Sequence, residues 1–350
     1  MFSWLPSPLT AIMVSLYFVL NLGLNYYNVY LLGGGPGQLH LPIPIFYTML
    51  HQVTIVTFTA IWCLAVPSVR FPLYDTFMSS WKWLIFVSTI YAASIATNNG
   101  SFASISLTVN TIFKSAIPFP TMIFSYFIES KRYTIPIIAI VSILVAGTLL
   151  AVPWHAKPKP AGATPEWVGI VLVVISTLAT AMRPVVSSHL MRSNAGAGGK
   201  PLTATAMAYW DALIAIPVLA VGSVVTDVVM RPGVQEVFAG ANAMNNIGLI
   251  SLGCLFAGVY GPVTFYTIKL TSSLSFVIIG NFKQLALLAG AALFVDKVSD
   301  PLLWTGVGVV ALSTLAYSYQ TNMEKRAAAE LAAKKAATEA TPLKKGVAAA

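Results

Sequence analysis

Long apolar stretches alternate with short polar ones along nearly the whole chain. Ten stretches approach or exceed the roughly 20 mostly apolar residues that a helix needs to cross a bilayer. They are 8–32, 43–66, 83–99, 102–127, 134–152, 166–190, 203–230, 246–268, 271–295 and 301–320. The punctuation fits the pattern. Gly33-Gly34-Gly35-Pro36 breaks the chain after the first stretch, and Pro158, Pro160 and Pro165 mark the loop before the sixth. A Gly/Ala-rich loop from Asn194 to Lys200 precedes the seventh, and Pro301 is placed to start the last. Asn98-Asn99-Gly100-Ser101 joins the third and fourth with almost no loop. The pattern predicts an all-α polytopic membrane protein of ten transmembrane helices.

Composition agrees. The 350 residues are 57% hydrophobic and only 9% charged, against about 25% charged in a soluble domain. A net charge of +9 would suggest nucleic acid in a soluble protein. Here the cations sit mainly between apolar stretches and in the tail, so no nucleic-acid partner is expected. With a cytoplasmic N-terminus, Arg70, Lys82, Lys131, Arg132, Arg192, Lys200, Lys269 and six tail cations share that side. Lys157, Lys159, Arg231 and Lys297 lie opposite. That bias predicts both termini on the cytoplasmic side. Cys63 and Cys254 lie in apolar stretches without metal-ligand spacing. The first stretch is too long for the core of a signal peptide, and the start lacks an Arg/Ser-rich transit-like leader.

The ten stretches divide into two sets of five. An odd number of spans per copy forces the second copy to run inverted, an architecture that places a transporter's substrate site near the midplane between the repeats. The expected organisation is a first repeat over 1–152, a linker over 153–165, a second repeat over 166–320 and an Ala/Lys/Glu-rich cytoplasmic tail over 321–350, partly helical or disordered. The fourth span carries Asn110-Thr111-Ile112-Phe113-Lys114 and the ninth Gly280-Asn281-Phe282-Lys283. Each half therefore sets a lysine behind Asn and Phe in the same ordinal helix.

A lysine at bilayer depth costs about 2.5–3.5 kcal/mol on insertion scales. Lys114 and Lys283 have no acidic partner in their own helices. Two cations in one cavity repel each other, and an anionic ligand would relieve that repulsion. The alternative for each is snorkelling to the interface. Arg183, followed by Pro184, reads equally as a cavity charge or an interface charge. Asp211 and Asp227 read as interface residues. His51 reads first as a hydrogen-bonded core residue, and Asn21, Asn25 and Asn28 first as amides joining helices. Tyr260, between Gly258 and Gly261-Pro262, is balanced between ligand contact and packing. No Walker loop, GxSxG, HExxH or intramembrane carboxylate pair is present, so neither an enzyme nor a cofactor is expected.

These residues together resemble the triose-phosphate and nucleotide-sugar transporters of the drug/metabolite transporter superfamily, over roughly residues 10–320. The likeness rests on Asn21/Asn25/Asn28 and Pro42-Ile43-Pro44 leading toward His51. It continues through Asn99-Gly100-Ser101, Lys114-Ser115-Ala116-Ile117-Pro118, Ala181-Met182-Arg183 and Gly280-Asn281-Phe282-Lys283. It implies alternating access and strict exchange. It also implies phosphate binding by Lys114 and Lys283, with Tyr260 joining the site; Gln284, Asn281 and Asn99 are expected as further substrate-binding residues. The triose-phosphate members have an arginine where this chain has Gln284, a histidine at the position of Ile95 and often a lysine at that of Val29. Glutamine cannot reproduce the two-pronged grip of arginine on a phosphate. The expected function is therefore exchange of a nucleotide sugar for a nucleoside monophosphate. A sugar-phosphate or triose-phosphate:phosphate exchanger is the alternative, and a non-transporting membrane protein on the same fold a third reading. The expected partners are an anionic small molecule, the lipid bilayer and, as an open option, a second copy of the chain. The expected compartment is Golgi or endoplasmic reticulum, with a plastid envelope as the alternative.

Overall fold

The computed structural model describes residues 7–32, 39–101, 105, 110, 113–151, 166–193, 197–230, 233–240, 242–290 and 301–347. Every extended element among them is helical, and there is no strand among the described residues. We number the helices α1 (Pro8–Leu32), α2 (Pro44–Ala65), α3 (Leu73–Ser101), α4 (Pro118–Glu129), α5 (Ile135–Ala151), α6 (Glu166–Arg192), α7 (Ala204–Ser223), α8 (Gly233–Ala239), α9 (Ala243–Leu270), α10 (Ser273–Gly290) and α11 (Pro301–Val347). A π-helical turn, Val224–Met230, extends α7.

Six of these helical stretches are long and apolar enough to cross a membrane: Pro8–Leu32, Pro44–Ala65, Trp167–Arg192, Ala204–Val229, Ala243–Leu270 and Pro301–Leu331. Ile135–Leu150 and Ser273–Lys283 are shorter apolar helices. The side-chain distribution explains how they sit. Leu9, Ile12, Val19, Ile61, Leu64, Val221, Val229, Leu312 and Leu315 point outward. Ser88, Thr121, Ser125, Ser176, Ser187, Ser188 and Asp211 are buried among the helices. In water that arrangement would be costly. In lipid, whose tails are as apolar as leucine, polar side chains between helices are the ordinary adhesive. The chain is a multi-pass membrane protein.

Several boundaries differ from those the hydropathy pattern predicts. The third span begins at Leu73 rather than 83, because Asp75 in the first turn and the mixed sequence that follows are compatible with helix though not with an apolar window. Asn98–Ser101 lies inside that helix rather than in a connection. The described part of segment 102–127 is not one helix. Ala116 and Ile117 form a turn, and α4 starts at Pro118, whose fixed φ suits a first helical position. The last helix runs without a break to Val347, so the tail is helical, as its Ala, Lys and Glu content favours. Gly33–Pro36, the linker 153–165, Asn194–Gly196 and 291–300 lie outside the described residues.

The packing follows a pattern of exchange. α2 packs on α7, α4 on α10 and α5 on α11. α3 packs on α6 and α7, while α9 packs on α1 and α2. Close crossings use glycine. A Cβ on Gly147 would meet the Val309 side chain of α11 at 2.6 Å, and one on Gly261 would meet three Ile55 side-chain atoms of α2 at 2.8 Å.

Candidate functional site

A cavity of about 700 Å³ lies between α1, α2, α3, α6, α7, α9 and α10. On α1 its lining runs from Tyr17 to Leu32, on α2 from Pro44 to Ile55 and on α3 from Tyr91 to Asn98. These are the C-terminal part of α1, the N-terminal part of α2 and the C-terminal end of α3, so the cavity reaches toward one face of the bundle. Toward the other face, an apolar plug that includes Leu84, Leu190, Met207 and Ile268 packs between the helices. Outside that plug, the Glu129 carboxylate at the end of α4 accepts hydrogen bonds from Ser188 of α6 (2.6 Å) and Ser273 of α10 (2.5 Å). Lys131 pairs with the same carboxylate at 2.9 Å. Arg192 donates to the carbonyls of Lys269 and Thr271 at 3.1 and 3.0 Å, tying α6 to the end of α9.

Both predicted lysines line the cavity. Lys114 Nζ donates to Ser176 Oγ (2.6 Å) and Thr180 Oγ1 (3.2 Å) of α6, and Ser176 Oγ in turn donates to the Ser94 carbonyl of α3 (2.7 Å). Neutral hydroxyls hold this ammonium without cancelling its charge. Lys283, on α10, has no ion-pair or hydrogen-bond partner among the described residues. Among the described residues neither lysine pairs with a carboxylate, so both charges remain available to an anion inside the cavity, and no snorkelling contact is needed to explain them.

Tyr260 also lines the cavity, and its hydroxyl accepts from Asn21 Nδ2. Asn25 Nδ2 donates to Asn21 Oδ1 (2.5 Å), one helical turn away. Tyr17 stacks on Tyr260 with ring centroids 5.7 Å apart and leans on Phe276 at 5.0 Å. Asn21 thus joins α1 to α9, Asn25 supports it from one turn along α1, and both face the cavity. Asn281 is placed differently: it is buried and donates to the Ser115 carbonyl at 3.0 Å, fixing the two lysine-bearing segments to each other. The side chains of Asn99 and Gln284 lie outside what the structure describes.

Three residues turn out differently from the sequence reading. Asp211 is not at an interface. It is 1% exposed and accepts from Arg183 at 2.6 Å, so Arg183 is a cavity charge. Asp227, also buried, accepts from the Phe46 backbone N–H at 2.6 Å and capitalises on an unpaired donor at the start of α2. His51 lines the cavity, edge-on to Tyr47, with no partner for Nε2 among the described residues. Ser176 and Thr180 went unnoticed in the sequence, although they form with Arg183 a polar stripe at helical spacing in an otherwise apolar span.

A cavity lined by two lysines with no carboxylate partner among the described residues is what a carrier of anions needs. Comparison with known proteins decides the family. The model of the UAA transporter family matches residues 11–321. The chain belongs to the UAA transporter family. It is a transporter, not an enzyme. Among its relatives is a probable sugar phosphate/phosphate translocator of Arabidopsis thaliana, 23% identical over 87% of this chain and 79% of its own. Another is the Golgi GDP-fucose transporter of Drosophila melanogaster, 23% identical over 89% of each chain. A second Arabidopsis thaliana protein, also a probable sugar phosphate/phosphate translocator, is 24% identical over 89% of this chain and 82% of its own. A protein of known crystal structure superposes with a TM-score of 0.59 at 15% identity, over 91% of this chain and 98% of its own. That likeness is one of fold alone.

Proposed function

We propose that this UAA transporter exchanges a nucleotide sugar for a nucleoside monophosphate across a Golgi or endoplasmic-reticulum membrane by alternating access. The observation that carries this reading is the pair of cavity lysines with no carboxylate partner, Lys114 and Lys283. A nucleotide sugar carries two charges on its diphosphate, and a monophosphate carries about 1.5 to 2 at pH 7. Either one answers two ammonium groups. Size supports the larger substrate: 700 Å³ falls in the range of about 300–1,000 Å³ typical of sites for drug-sized ligands, more room than a bare triose phosphate needs. The aromatic group Tyr17, Tyr260 and Phe276 offers faces for a base or sugar ring. Within this reading Lys114, Lys283 and Tyr260 bind the substrate, with Gln284, Asn281 and Asn99 proposed as further substrate-binding residues, and Asn281 also holds the lysine segments in register.

The proposed architecture is ten spans in two inverted repeats, with both termini cytoplasmic. Matching α1–α5 with α6, α7, α9, α10 and α11 supports it. Under that correspondence the α3 contacts with α6 and α7 map onto the α9 contacts with α1 and α2, and the pairs α2–α7, α4–α10 and α5–α11 map onto themselves. The Golgi assignment draws on the compartment named for the Drosophila relative.

Two of the relatives are named as probable sugar phosphate/phosphate translocators, which keeps that exchange as the second reading. Liposomes carrying the purified chain separate the two. Vesicles loaded with a nucleoside monophosphate should take up a labelled nucleotide sugar. Uptake of triose phosphate or phosphoenolpyruvate against internal phosphate, with no nucleotide-sugar uptake, would overturn the first reading.

A further inference from the structure

Besides its two lysines the cavity has one more cation and one anion among the described residues. Arg183 on α6 and Asp211 on α7 both line it and pair at 2.6 Å. The pair is built in from three sides. Ser88 of α3 donates to Asp211 at 3.3 Å. The Arg183 guanidinium lies 3.6 Å from the centroid of the Tyr91 ring and 5.3 Å from that of Phe265. Counting histidine as neutral, the charged residues lining the cavity among the described residues are Lys114, Lys283, Arg183 and Asp211, three positive and one negative, a net charge of +2.

The geometry points to Asp211 as a residue that sets substrate charge: by cancelling Arg183 it holds the cavity at two positive charges, which selects dianionic ligands over those with three or four. This rests on the reading that the cavity carries anions, yet it does not depend on which dianion is carried. Without Asp211 the cavity would hold three cations, and a nucleoside diphosphate would match it better than a monophosphate. Without Arg183 it would hold one net positive charge, and the preference would move the other way. Release of Arg183 from Asp211 would free its guanidinium, which lies against Tyr91 and Phe265, to grip a phosphate with two N–H groups.

The test uses the full-length protein in liposomes, with unlabelled guanosine and uridine mono-, di- and triphosphates competing against labelled monophosphate exchange. For the unaltered protein the monophosphate should compete best. In Asp211→Asn the diphosphate should gain on the monophosphate by about tenfold, the order expected for one added unit charge in a partly hydrated cavity. Arg183→Gln should shift the ratio in the opposite direction. Arg183→Gln combined with Asp211→Asn restores the net charge of +2 and should restore the original ratio, whatever its absolute rate. A residue that merely holds the fold would lower all nucleotides together. Thermal stabilisation of the purified variants by each nucleotide reads the same ratio without turnover. An unchanged diphosphate-to-monophosphate ratio in Asp211→Asn would overturn the inference, and so would a double variant that keeps the Asp211→Asn ratio. Should Asp211→Asn fail to fold, an unshifted ratio in Arg183→Gln overturns it equally. If the unaltered protein moves no nucleotide or phosphate at all, the transport reading fails instead, and the stabilisation ratios still decide the charge rule.

Discussion

Lys283 is the side chain on which the transport reading leans hardest. It sits in α10, lines the cavity and has no partner among the described residues. Truncating it removes a charge without orphaning a neighbour, so the fold should survive. Lys283→Ala is expected to lower exchange at least 100-fold while the purified protein elutes and melts as before. Near-normal exchange would remove this residue from the site. Both lysines were legible in the sequence because a charge inside an apolar stretch stands out without any knowledge of packing. The Arg183–Asp211 pair was not, because its members come from different helices and each alone resembles an interface residue. Ser176 and Thr180 were legible in principle, since hydroxyls at i and i+4 share a helix face. Asn281, two residues before Lys283, is expected from the sequence among the substrate-binding residues; its hydrogen bond to the Ser115 carbonyl joins segments far apart in the chain and could not be read from the sequence.

At the scale of the helix, a single carboxylate outside the apolar plug ties three helices together. Glu129 joins the end of α4 to Ser188 of α6 and Ser273 of α10, beside Lys131. Hydrogen bonds to a charged acceptor contribute about 1.5–3 kcal/mol each, so losing the charge should loosen this end. Glu129→Gln is expected to favour opening there. A cysteine placed at Ile268 in the apolar plug, in a background lacking Cys63 and Cys254, should then react several-fold faster with an impermeant maleimide added from that face. Equal labelling rates with and without Glu129→Gln would show that the plug alone keeps the face shut. The helix crossings carry a second expectation. Gly261→Ala would press a methyl group against Ile55 of α2 at 2.8 Å, and overpacking of this kind typically costs about 1–3 kcal/mol. A lower melting temperature in detergent checks it; an unchanged one would mean that α2 and α9 separate without penalty. The glycines were visible in the sequence, but the helices they let approach were not. Helix existence follows from local composition, whereas partners are set by contacts far apart in the chain. The same gap explains segment 102–127, where apolar content promised one helix and the backbone turns at Ala116–Ile117.

For the molecule as a whole, the inside-out distribution of side chains made the membrane class readable from composition alone, while the cavity, which is formed by seven helices at once, was not. That cavity also bears on how transport is coupled. To face the other side, the protein must close around whatever the cavity holds. Closing around nothing would strip water from Lys283 and Lys114, at about 2.5–3.5 kcal/mol for each lysine on insertion scales. Two lysines together give about 5–7 kcal/mol, and each 1.4 kcal/mol is a factor of ten in population. The empty form should therefore cross about 10⁴–10⁵ times less often than one loaded with a dianion. Liposomes loaded with labelled nucleoside monophosphate should lose almost none of it into substrate-free buffer, and lose it rapidly once a nucleotide sugar or monophosphate is added outside. Efflux at similar rates with and without external substrate would show that the lysines are neutralised by some other means, and that exchange is not imposed by their charge.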